Sequence, residues 1–206
     1  LLESNITYQY SHRIPEVINL VRALIVYGTR YGATGETSEV IADVLRQKGL
    51  EVKVANAKKE KIRSVSEFEL VIVGSGIRMG KWTKEPEKFL EKFQKELVKK
   101  KVALFVCCGS SNPLDEEDEK AEVMEDAKRK YLEDKAAKYN ISPIALGFFG
   151  GIYDFNKMSW VLRKTMSGIK PQLEEAGFKE TRSGVYDLRN LGMIRDWAKE
   201  IAEMID

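Results

Sequence analysis

The chain has 206 residues, 43% of them hydrophobic and 32% charged, with a formal net charge of +2. That length supports one domain with a full core, and so small a net charge leaves no footprint for a nucleic acid. No apolar run approaches the ~20 residues of a membrane span, and no apolar segment with a small-residue cleavage site opens the chain, so a cytoplasmic location is expected.

The two cysteines, Cys107 and Cys108, are adjacent, which excludes a disulfide framework. Buried small residues closing a strand and a redox-active vicinal pair both remain open readings. The single histidine, His12, rules out a His-dependent triad and a multi-His metal site. No acid–base constellation is visible, so no catalytic side chain and no metal ligand is assigned.

Residues 1–21, with Pro15, Tyr8 and Tyr10, read as an N-terminal extension to a domain spanning 22–206. Strands are expected at 22–27, 51–55, 69–75, 101–107 and 143–149, and helices at 34–48, 84–98, 115–138 and 190–205. Near-continuous apolar strands such as Leu70-Val-Ile-Val73, alternating with helices, indicate a parallel sheet covered on both faces. Residues 115–138 place acids first (Asp115–Glu119) and bases later, the pattern of a solvated helix aligned with its dipole. Between 156 and 169, Met158, Val161, Leu162, Met166 and Ile169 recur at helical spacing and predict a core-facing helix. A basic, Trp- and Met-bearing helix in peripheral contact with a membrane is the other reading of that segment.

In an open α/β sheet, ligands sit beyond the carboxyl ends of the strands, where the strand order reverses. Three loops there are suited to a ligand. After the first strand comes Gly28-Thr-Arg-Tyr-Gly-Ala-Thr34, running into a helix N-terminus whose unpaired N–H groups favour a phosphate. The plainer reading is a βα turn with Thr34 or Thr37 as N-cap. After the third strand comes Gly74-Ser-Gly-Ile-Arg-Met-Gly-Lys-Trp82, whose Trp could stack on a ring. After the fourth comes Cys108-Gly-Ser-Ser-Asn112, small and polar. A nucleotide P-loop is excluded because no Lys follows Gly32 or Gly35, and the dinucleotide fingerprint fails on glycine spacing.

On these loops the chain resembles the flavodoxin superfamily over nearly all of residues 22–205. The resemblance implies an α/β three-layer fold, a five-stranded parallel sheet of order 2-1-3-4-5, and FMN as cofactor. Thr29, Arg30, Tyr31, Gly32, Ala33 and Thr34 would then hold the phosphate. Gly76, Ile77, Arg78, Met79, Gly80, Lys81 and Trp82 would meet the flavin ring, and Cys108, Gly109, Ser110, Ser111 and Asn112 its polar edge. Within the superfamily, Thr29-Arg-x-Gly-x-Thr34, Val71–Gly80 and Phe149-Gly-Gly-x-Tyr153 resemble the flavodoxin-like, quinone-dependent protoporphyrinogen dehydrogenases. The chain departs from them at Asp115–Glu119, where that family tends to be basic. It departs from electron-carrier flavodoxins at Asn112, where those carry an aromatic. The resemblance implies a flavin redox protein whose partner is a redox protein, a quinone or a porphyrinogen. A one-electron carrier and a cofactor-free interaction module of the same fold are the alternatives.

Overall fold

The computed structural model describes residues 20–111 and 117–205, and of Ser110 and residues 117–119 the backbone alone. The extension up to residue 19, His12, Asn112 and the acidic pair Asp115-Glu116 lie outside the described residues.

The apolar runs form strands β1 (Arg22–Gly28), β2 (Glu51–Asn56) and β3 (Leu70–Arg78). A two-residue strand β4 (Lys81–Trp82) folds back on β3, and β5 (Lys101–Cys107) and β6 (Ala145–Phe149) follow. The path of the sheet is β2-β1-β3-β5-β6, with β4 paired to β3 alone. With β4 set aside, this is the expected order 2-1-3-4-5, and every pair along the path is parallel.

Helix α1 (Ala33–Gln47) packs on one face of the sheet with α7 (Leu191–Glu203). Helix α2 (Lys84–Leu97) covers the other face, together with the run α3 (Glu117–Lys128), a π-helical turn (Arg129–Glu133) and α4 (Asp134–Lys138). In α2, Phe89, Leu90, Phe93 and Leu97 are buried at helical spacing. Val71, Ile72 and Val73 are fully buried because both faces of their strand are covered.

A second, three-stranded antiparallel sheet was not expected. Its strands are β7 (Ile152–Asp154), β8 (Glu180–Arg182) and β9 (Val185–Asp187), in the order β7-β9-β8. With helices α5 (Trp160–Thr165) and α6 (Ile169–Glu175) it encloses a small core of Phe155, Met158, Leu173, Tyr186 and Leu188. The single core-facing helix expected over 156–169 is therefore corrected. Phe155–Lys157 is a 3-10 turn, Ser159 caps α5 by accepting from the Leu162 N–H, and α5 buries none of its side chains. The helical spacing was real, but Ser167-Gly168 separate two short helices, and only Met158 of the five apolar residues is buried.

Candidate functional site

The carboxyl ends of β1, β3 and β5 meet β7 and α5 around a cavity of about 530 Å³. The loop after β1 forms one end. Gly32 precedes α1 with φ +111, a conformation that costs a residue with a side chain. Its N–H donates to Thr29 Oγ1 at 3.0 Å. No side chain caps α1, so the N–H groups of Ala33, Thr34 and Gly35 have no intrahelical acceptor. Neither Thr34 nor Thr37 is an N-cap; both are buried within the first turns of the helix. Thr29, Arg30, Tyr31, Ala33 and Thr34 line this end of the cavity, while Gly32 lies just off its surface.

The strand end of β3 supplies Gly76, Ile77, Arg78 and Met79. A Cβ at Gly76 would stand 3.1 Å from Thr34 Oγ1, so the backbone here approaches the phosphate-type loop closely. Arg78 pairs with Lys81 around a two-residue turn, Met79-Gly80, with φ of 48° and 71°. Two positive φ values are the mark of a type I′ turn, where Asn-Gly is the favoured sequence. Gly80 and Lys81 do not reach the cavity surface. Trp82, expected against the ring of a ligand, is a core residue instead. It is 5% exposed, and its indole N–H donates to the Tyr131 carbonyl at 2.8 Å. Pairing Ile77 with Trp82 in the β3–β4 hairpin turns the indole inward, towards the π-helical turn that presents that carbonyl.

From β5 come Cys107, Cys108 and Gly109. The two cysteines fall in the cores on opposite faces of the sheet, as alternation along a strand requires, so their side chains diverge. The Cys107 thiol donates to Thr37 Oγ1 at 3.5 Å, and burial pushes its pKa up to about 11. Ser111 turns inward and donates to the Cys108 carbonyl at 3.0 Å. The backbone of Ser110 lies in the same 3-10 turn.

Sequence reasoning missed the fourth wall. Gly151, Ile152 and Tyr153 of β7, then Met158, Ser159, Val161, Leu162, Thr165 and Met166, close the cavity, and Thr83 adds a hydroxyl. A Cβ on Gly109 would collide with the Tyr153 hydroxyl, so any side chain there obliges the tyrosine or the loop to move. Burial, with the nearby Cys108 thiol, raises the Tyr153 pKa. The Phe149-Gly-Gly-x-Tyr153 segment was the available signal.

Arg189 supports the site from behind. Its guanidinium donates to Asp187 Oδ2 at 2.6 Å and Glu36 Oε2 at 2.9 Å, and reaches the Ala33 carbonyl at 3.5 Å. Burial alone would raise the Asp187 pKa, but hydrogen bonds from Arg189 bring it below the usual carboxylate range. The lining itself holds hydroxyls, glycines, apolar side chains and two guanidiniums, Arg30 and Arg78, and among the described residues no carboxylate. Such a cavity suits an anionic group at the α1 end and a flat apolar body beside β3, β5 and β7.

A family model for the flavodoxin domain matches residues 24–180. The chain belongs to the flavodoxin-domain family. A comparison with curated proteins gives no match. Among solved structures, the chain is similar to a short-chain flavodoxin associated with a non-canonical PDU bacterial microcompartment. Identity is 12% over 91% of this chain and 100% of that one, with a TM-score of 0.55. It is also similar to a Streptococcus pneumonia flavodoxin, at 16% identity over 89% and 99% of the two chains and a TM-score of 0.52. A flavodiiron core from Synechocystis is 15% identical over 91% of this chain but 36% of its own, with a TM-score of 0.56. These likenesses are in fold. Among the described residues, no helix of this flavodoxin-domain chain is long and apolar enough to cross a membrane.

Proposed function

We propose that this flavodoxin-domain protein binds FMN without a covalent link and transfers electrons through it to an organic substrate of the quinone or porphyrinogen class. The observation that carries the reading is the pairing of three free first-turn N–H groups at α1 with an adjoining carboxylate-free cavity. Thr29–Thr34 would hold the phosphate. Ile77, Tyr153 and the backbone of Cys108-Gly109 would surround the ring. The flavin supplies the redox chemistry, and the protein excludes water and sets the local charge. One phosphate site and no dinucleotide fingerprint favour FMN over FAD.

Support for an organic substrate comes from α5 and the turn after it. Val161, Leu162, Thr165 and Met166 extend the apolar wall past the strand ends, and such a wall suits an apolar organic molecule. Arg30 and Arg78 at the rim suit carboxylates on such a substrate. A one-electron carrier is the second reading, favoured by the flavodoxin likeness in fold. Extraction of the bound nucleotide tests the cofactor, and recovery of FAD alone overturns it. Rapid-mixing kinetics then separate the two readings. Reoxidation of the bound flavin by a quinone, or its reduction by a porphyrinogen, at rates that saturate with substrate supports the first. Reaction with protein partners alone supports the second.

A further inference from the structure

Three segments reach the cavity mouth, and none carries a carboxylate. Residues 22–35, 70–84 and 155–173 contain no Asp or Glu, in a chain that has 32 acids against 34 Lys and Arg. They carry exposed Arg30, Arg78, Lys81, Lys157 and Lys164. Arg30 and Arg78 line the cavity, Lys81 pairs with Arg78 across the hairpin, and Lys157 Nζ donates to the Tyr31 carbonyl at 3.2 Å. Lys157 has an ion partner, Asp154. Arg30, Arg78, Lys81 and Lys164 have none among the described residues.

Large apolar side chains are exposed on the same segments. Met79 is 89% exposed, Trp160 77% and Val161 53%. Met79 keeps that position at a positive φ that a Gly or Asn would adopt at less cost. Helix α5 buries no side chain of its own, so the core places no demand on Trp160 or Val161.

We infer that this rim docks on an anionic phospholipid surface, with Trp160, Val161 and Met79 at the boundary of headgroups and acyl chains and the cations on the phosphates. An acidic protein face would satisfy the cations and leave the apolar side chains unmatched. A lipid surface stacks an anionic layer directly over an apolar one, and long basic side chains span the two. The docking does not depend on the flavin. Resting on the proposed function, it would aim the cavity mouth at the bilayer, where an apolar quinone-class substrate is concentrated.

The protein reports its own binding. Trp82 and Trp197 are buried, at 5% and 8% exposure, so a blue shift of tryptophan emission on adding vesicles comes from Trp160. The purified full chain is titrated with vesicles of phosphatidylserine and phosphatidylcholine, and with phosphatidylcholine alone, at about 0.15 M salt, where the Debye length is about 8 Å. Expected are a blue shift and co-sedimentation with the anionic vesicles only. Trp160→Ala should weaken co-sedimentation on the order of ten-fold, and the K81Q/K164Q pair roughly thirty-fold. Equal binding to both vesicle types, no binding, or binding unmoved by these variants overturns the inference. So does polyglutamate binding as tight as that to the vesicles with no shift of Trp160, which identifies an acidic protein face. Flavin content is measured separately on every sample. Vesicle binding by protein that carries no flavin leaves the docking standing and counts against the proposed function alone.

Discussion

Arg189 reaches across from the turn before α7 to the first turn of α1, where it donates through Nη2 to Glu36 Oε2 at 2.9 Å. The same guanidinium holds Asp187 and touches the Ala33 carbonyl, so one buried side chain ties the antiparallel sheet to the helix end that would take a phosphate. Replacing Arg189 by Gln leaves Asp187 without its charge partner and should cost about 2 kcal/mol of stability. It should also weaken FMN several-fold by loosening the turn. Arg189→Lys should recover part of each, since it keeps the charge and loses the fork. Denaturant titration and flavin fluorescence read the two effects separately, and loss of stability with unchanged flavin affinity would confine Arg189 to a structural role.

The Asp187 contribution has a definite pH dependence. Its folded pKa lies below the ordinary value of about 3.9, so the folded protein releases this proton more readily than the unfolded chain. The stabilisation is fully present above the ordinary value and is lost as pH falls from there through the folded pKa. Urea midpoints should therefore drop more steeply with acidification in the wild type than in Asp187→Asn. Parallel curves for the two proteins below pH 4 would contradict this.

Thr34 offers a direct test of the phosphate reading. It is 1% exposed, and its hydroxyl lies beside Gly76 and the Cys107 thiol. Thr34→Val keeps the shape and removes the hydroxyl, so the fold should survive. FMN should weaken by roughly 1.5–3 kcal/mol if the hydroxyl donates to a phosphate oxygen. Unchanged affinity in a fluorescence titration would mean that the hydroxyl serves only the buried Cys107 contact.

Much of this architecture was legible in the sequence, and what was not has particular causes. Val102–Val106 and Leu70–Val73 announce strands buried on both faces, because no polar residue interrupts them. Glu180–Arg182 and Val185–Asp187 are three residues each, with a register shift at Glu180/Arg182, too short for alternation to show. Trp82 looked like a ligand-stacking aromatic because its loop is glycine-rich. Its destination depends on a Tyr131 carbonyl forty-nine residues away, which no local pattern encodes. The apolar spacing over 156–169 predicts a core face, yet Val161 lines the cavity at 53% exposure, and Leu162, Met166 and Ile169 are only half-buried.

Gly109 and Tyr153 form a steric pair that a double-mutant cycle can expose. Gly109→Ala puts a methyl against the tyrosine hydroxyl and should either displace the ring into the cavity or shift the loop. Ligand affinity should fall about ten-fold or more. Tyr153→Phe removes the atom in conflict, so the double variant should bind better than Gly109→Ala alone. Strictly additive losses would place the damage in the loop rather than in the pair.

The last prediction concerns the sign of charge that approaching reactants meet. The side chains of the acidic run Asp115–Glu119, which follows the third loop, lie outside the described residues. The described basic residues carry the opposite sign, with Arg30, Arg78, Lys81 and Lys164 exposed and without ion partners among the described residues. Charges of one sign around a mouth steer oppositely charged reactants, and the effect fades as salt shortens the Debye length. Reduced, flavin-loaded protein should therefore react with ferricyanide fastest at low ionic strength and more slowly as salt is added. Hexaammineruthenium, a cation, should show the reverse trend. Neutralising Lys81 and Lys164 should flatten both slopes, whereas neutralising Asp115–Glu119 should steepen the ferricyanide slope only if that run also faces the mouth. A ferricyanide rate that rises with salt would assign control of the approach to the acidic run, and the basic rim would then serve surface docking alone.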